Sequence, residues 1–324
     1  MMVCPVPSSH HPGAVVLLGP QKNDGATLRA ALDAVGVEGP VALISAGWQE
    51  AEGEDDDVRR WIGRPVLNLA LHARSEDIYR QDPELARASH GRQQHLHLLQ
   101  QFYQVRLEHM DDADRGLAVR HVSPELLDAE LVASADHLRF ADTHHLMRVL
   151  GVHRAWEEAW APGERPVVQR HRAEVAELLG DARAVVVAGG HVMSLLNRVR
   201  LLDALAAVGD RPVLGWSAGA MLLTERVVIF HDRPPFGKNM AQVVDAGLGL
   251  VGGVVAMPDA AHRVDASLRR GVQRFARRMA PAWCLTLDAD ESVAFLPGAT
   301  GPALHARRLT EAGSVAPAGG EGER

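Results

Sequence analysis

Cysteine is nearly absent from this chain. Its 324 residues hold two, Cys4 and Cys284, which cannot make the disulfide framework of a small secreted domain. Long apolar runs are absent too; no stretch approaches the roughly 18 residues that cross a bilayer. Basic charge is in deficit. Lysine and arginine number 34 against 41 acidic residues, for a formal net charge of -7. That balance excludes sequence-independent nucleic-acid binding, which needs a basic face. The opening residues M-M-V-C-P-V-P-S-S-H-H-P-G lack the basic and apolar regions of a signal peptide. Together these absences read as a cytoplasmic protein with no membrane and no nucleic acid among its partners.

What is present is core. The chain is 47% hydrophobic, enough for one large core or two modest ones. Residues 14–19 (A-V-V-L-L-G) and 40–46 (P-V-A-L-I-S-A) are short apolar runs with a helical pattern ending on glycine between them. The alternation returns with A-R-A-V-V-V-A at 182–188, a helical M-S-L-L-N-R-V-R-L-L-D-A-L, the run R-P-V-L-G-W and the helical A-G-A-M-L-L-T-E-R. Fully apolar strands alternating with helices predict an α/β fold, with a mostly parallel sheet covered on both faces. Further strands are expected at 251–256, 283–287 and 292–296. Cys284, in A-W-C-L-T-L, reads as a small core residue.

Residues 74–173 break the alternation. They are polar, poor in glycine and helical in period, and Ser123-Pro124-Glu125 has the order of an N-cap followed by proline at the first helical position. The expectation is a single α/β domain over 1–324 with a helical insertion at 74–173 and a disordered tail at 315–324. Eleven of the 17 histidines fall between residues 72 and 171. They read as solvated or hydrogen-bonded side chains rather than a metal site. The acidic stretch 50–57 and the arginine-rich 269–278 read as solvated faces. The second glycine of Gly19-Pro-Gln-Lys-Asn-Asp-Gly25 is followed by Ala26-Thr27, where a phosphate loop has Lys-Ser or Lys-Thr.

The chemistry-bearing stretch is G-W-S-A-G at 215–219. A serine flanked by glycines, entered from a strand and left by a helix, can stand on a sharp strained turn. Ser217 would then sit at a helix N-terminus, where unpaired amides favour developing negative charge. A serine nucleophile needs a base and the base an orienter. After the elbow three histidines follow: His231, His262 and His305. His262 ends M-P-D-A-A-H beyond a strand, and His231 lies in a proline-rich loop. Acids at 288–291 precede another strand, so the order Ser217, His262, Glu291 is available.

Four ordered segments carry a family resemblance. V-V-V-A-G-G at 185–190, G-W-S-A-G-A at 215–220, G-L-G-L at 247–250 and D-E-S-V-A at 290–294 resemble peptidase family S51, which contains aspartyl dipeptidase and cyanophycinase. The resemblance covers 180–297 well and 14–50 loosely. It implies a class I glutamine-amidotransferase-like, flavodoxin-like three-layer fold with serine in place of that superfamily's cysteine. It further implies Ser217 as nucleophile, His262 as base, Glu291 as orienter, and the amides of Gly190 and Ala218 as oxyanion hole. His191 and Trp216 would border the substrate pocket, His231 is the alternative base, and no metal or cofactor is implied. The expected substrate is a small peptide. Two other readings stay open at this point: a non-catalytic relative whose helical insertion binds or regulates, and an esterase or acyltransferase on the same elbow. Oligomerisation is left open as well.

Overall fold

A computed structural model describes residues 7–22, 24–230, 240–289, 291–298, 303–304 and 307–318. The first half alternates β1 (Val15–Leu18), α1 (Ala26–Ala34), β2 (Val41–Ile44), α2 (Asp56–Ile62) and β3 (Val66–Asn68). Four helices follow: α3 (Leu71–Gln81), α4 (Pro83–Ala118), α5 (Pro124–Trp160) and α6 (Pro166–Asp181). Alternation resumes with β4 (Ala184–Val187), α7 (Val192–Leu202), β5 (Val213–Trp216) and α8 (Ala218–Leu223). The rest comprises β6 (Arg226–Ile229), β7 (Gln242–Ala246), β8 (Val254–Pro258), α9 (Ala260–Arg263), α10 (Arg269–Met279), β9 (Trp283–Leu287), β10 (Ser292–Phe295), β11 (Ala303–Leu304), β12 (Arg307–Leu309) and β13 (Val315–Pro317).

The main sheet runs in the order β11-β10-β1-β5-β4-β2-β3. Its five strands from β1 to β3 are parallel, and β10 and β11 close one edge antiparallel. Every residue of β1, β2, β4 and β5 is buried, so each is apolar along its whole length. One face packs against Leu28, Leu32, Val58 and Ile62 of α1 and α2. The other packs against α6, α7 and α8 through Val175, Leu179, Leu195, Val199 and Leu222. This is the expected three-layer α/β arrangement. A second sheet, β8-β9-β12-β13, pairs β8 and β9 in parallel and lays α10 on Val255, Met257 and Cys284. Cys284 is buried as expected, and burial pushes its thiol well above the usual range.

The polar helical region contains a hairpin of two long helices. Asp82 caps α4 by accepting from the Leu85 amide, Ser123 caps α5 by accepting from that of Leu126, and each helix has proline in its first turn. Tyr103, Leu107, Leu138 and Ala141 form the seam and continue onto Met240. Two buried polar clusters tie the hairpin to the α/β body. Asp142 accepts from Arg278 Nε at 2.8 Å, from its Nη2 at 2.7 Å and from the Tyr103 hydroxyl at 2.6 Å. Asp245 meets His153 Nε2 at 2.9 Å and Arg200 Nη1 at 3.1 Å. Buried carboxylates persist only when paired in this way.

Two expectations shift. Helices begin at Leu71 and run to Asp181, because α3 and α6 pack beside the sheet rather than apart from it. The tail expected to be disordered from 315 instead forms β13, which pairs antiparallel with β12 and packs Val315 against the second sheet's core. A short, glycine-bordered run carries too little sequence signal to reveal a partner strand. Residues 319–324 lie outside the described residues.

Candidate active site

The parallel strands β1, β5, β4 and β2 end together, and in such sheets ligands bind beyond the carboxyl ends. Ser217 follows β5 there, with φ 51° and ψ −117°. L-residues rarely adopt that conformation; it costs about 1–3 kcal/mol and persists only where the surroundings impose it. They do. A β-carbon on Gly215 would lie 2.7 Å from the Gly219 carbonyl carbon, and one on Gly219 would lie 2.2 Å from the Val187 oxygen. The two glycines of the motif are therefore what let the turn close. The Ser217 amide donates to Leu18 at 3.1 Å, locking the elbow to the end of β1.

The turn after β4 comes alongside. Gly190 has φ 112°, and a β-carbon on it would sit 2.5 Å from the Gly47 oxygen. The amides of Gly190 and Ala218 donate to no acceptor among the described residues. His191 turns away to serve α7: its Nδ1 accepts from the Ser194 amide at 3.1 Å. That is the N-cap role a small polar side chain usually fills. Trp216 is only 5% exposed and packs with Leu18, Val186 and Leu214 in the core.

His262 is carried by the short α9, directly after β8. Its Nδ1–H donates to Asp259 Oδ1 at 2.8 Å, leaving Nε2 as the basic nitrogen. The ring is 72% exposed and lines a cleft of about 620 Å³ with Arg263, Asp265, Ser267, Asp288 and Arg307. Glu291 is buried, and its carboxylate accepts from Arg307 Nε at 2.7 Å and the Asp288 amide at 2.9 Å. Asp288 in turn accepts from Arg307 Nη2 and from the Ala261 amide, both at 2.9 Å.

Ser217, Glu291 and the helix carrying His262 are thus linked through a run of hydrogen bonds. Ser217 bonds Leu18, the next residue Gly19 bonds the Glu291 carbonyl at 3.1 Å, and Glu291 and Asp288 reach α9. The side chains of Ser217, His262 and Glu291 make no hydrogen bond to one another among the described residues. His231 and Asp290 lie outside the described residues. Asp259 and Arg307 join this network without having been singled out from the sequence, whereas Asp288 belongs to the acidic group at 288–291 that was. Asp259 left a trace, standing three residues before His262, one helical turn away.

A model described as "Peptidase family S51" matches residues 146–279. The resemblance to peptidase family S51 holds. The matched segment contains the Gly189-Gly190 turn, the elbow, the G-L-G-L stretch and His262, and it ends before Glu291. It supports a hydrolytic peptidase. No curated protein matches the sequence. Among solved structures, that of a peptidase from an acI-B1 Actinobacterium is similar at 13% identity and a TM-score of 0.46, covering 94% of this chain and 93% of that one. Among the described residues, no helix is long and apolar enough to cross a membrane.

Proposed function

We propose that this chain is a cytoplasmic serine peptidase that cleaves small peptides, dipeptides among them, through an acyl-enzyme. The observation that carries the reading is the Ser217 backbone, strained at a strand-to-helix turn beside two amides that donate to no acceptor among the described residues. Ser217 Oγ attacks the scissile carbonyl. The Gly190 and Ala218 amides receive the oxyanion, where charge-directed donors contribute most. His262 Nε2 takes the hydroxyl proton and returns it to the leaving amine, and water then releases the acyl group by the same route.

Two carboxylates compete to orient the imidazole. The family resemblance points to Glu291, and the hydrogen bond at His262 Nδ1 points to Asp259. Arg307, bonded to Glu291 and Asp288, is neutralised by that pair of carboxylates and braces the wall of the cleft.

The test pairs a fluorophosphonate probe with hydrolysis of short peptides, on wild type and Ser217→Ala. The expected result is labelling and turnover in wild type, with labelling lost and kcat/KM down at least about 10³-fold in the variant. A folded wild type that neither labels nor hydrolyses any peptide sinks the proposal. Turnover of acyl esters without peptides would move the elbow to esterase chemistry.

A further inference from the structure

Away from the elbow, α4 and α5 leave a cleft of about 550 Å³ between them. Gly91 and Gly151 open it, and Leu99, Val152, Trp156 and Trp160 contribute apolar wall. Arg92 and Arg148 are the formally charged side chains on its lining, and no carboxylate joins them. The Arg92 guanidinium lies over Trp156, 4.0 Å from the ring centroid. Arg92 Nε and Trp156 Nε1 are both buried without a hydrogen-bond partner among the described residues.

Two other arginines, one buried and one half-buried, are each held by a carboxylate. Arg278 is paired with Asp142, and Arg200 with Asp245. Burial holds the Arg92 guanidinium below the usual arginine range, although the fields of Tyr79, Asp245 and Glu157 oppose the shift. A desolvated cation with no acid bonded to it is unfavourable, and an anion entering from the cleft would relieve it. A second cleft of about 430 Å³, also lined by Arg92 and Trp156, carries Glu157, Glu164 and Asp203 beside Arg172 and Arg200, so its cations already face acids.

We propose that the carboxylate-free cleft binds an organic anion with an apolar body. The anionic group engages Arg92 inside and Arg148 at the rim, and the body lies against Trp160, Leu99 and Val152. The proposal is independent of the peptidase reading.

The probe is 8-anilinonaphthalene-1-sulfonate, read by energy transfer from tryptophan in the full chain. Its uncharged counterpart N-phenyl-1-naphthylamine has the same ring system. Arg148 is exposed, so Arg148→Gln tests the site without disturbing the core. Arg92→Gln tests the inner cation, with Arg92→Lys as the variant that keeps the charge should Arg92→Gln fail to fold. We expect sulfonate affinity to fall about tenfold in Arg148→Gln and further in Arg92→Gln, since a charge-assisted contact is worth about a factor of ten or more. The uncharged probe should shift less than twofold. Equal losses for both probes, or no loss in Arg148→Gln, would overturn the proposal. So would a sulfonate signal removed instead by Phe102→Ser and Phe140→Ser, two rings exposed elsewhere on the hairpin.

Discussion

Ser217 holds a backbone conformation better suited to glycine than to serine. The strain is a function of position, so it persists when the hydroxyl is removed. Ser217→Gly should therefore be more stable than Ser217→Ala by about 1 kcal/mol, the relief of strain less the entropy glycine loses on folding. Both variants should be inactive; the comparison is their denaturant midpoints. The structure gives His262 a carboxylate from its own helical turn, Asp259. If Asp259 holds the imidazole, Asp259→Asn should lower kcat by about 10²–10⁴-fold, while Glu291→Gln lowers it less than tenfold. The reverse ranking of the two kcat values would return the orienting role to Glu291. The elbow was legible because its strand, glycines and helix are contiguous. The partners of Glu291 were not, since Arg307 lies beyond β10 and β11, on a strand of the second sheet. His191 was legible as a residue but not as a cap, because its role depends on where its ring turns.

At the scale of elements, the helical hairpin shows what periodicity can and cannot say. The Ser123-Pro124 cap is where the sequence placed it, and α4 and α5 are as long as their unbroken helical pattern allows. Which histidines were buried could not be read. His145 is buried and stacks on Tyr103 at 4.1 Å between ring centroids. Burial pushes its pKa down to about 4, against the raising fields of Asp142 and Asp245. The imidazole is therefore neutral in the fold at pH values where the unfolded chain's imidazole is charged. Above about 6.5 the two states bind protons alike, and the site makes no difference. As pH falls from 6.5 toward 4 the unfolded chain takes up the proton first, and stability drops. His145→Phe should abolish that part of the loss, on the order of 1 kcal/mol by pH 5 once water near the ring is allowed for. Thermal midpoints of the two proteins at pH 7 and pH 5 measure it. An equal drop in both would place the acid sensitivity elsewhere.

For the whole molecule, the α/β class followed from fully apolar strands alternating with helices, and the parallel sheet bears that out. Strand order did not follow. β2 and β4 are neighbours although α2, β3 and the entire helical region lie between them, and no local pattern encodes so distant a pairing. That order has a consequence for how the chain is made. β1 is flanked by β5 and β10, both synthesised long after it. Until residue 184 has emerged, β2 and β3 are the only neighbours available within the main sheet. The nascent chain thus carries an apolar strand, Val15–Leu18, with no sheet to join for some two hundred residues of elongation. Such exposure invites aggregation and chaperone capture, while the hairpin, rich in local contacts, can form early and draw β2 and β4 together. The elbow is assembled only when β5 slots between β1 and β4. The strained turn at Ser217 therefore forms late, and a chain that stops short of β5 lacks it.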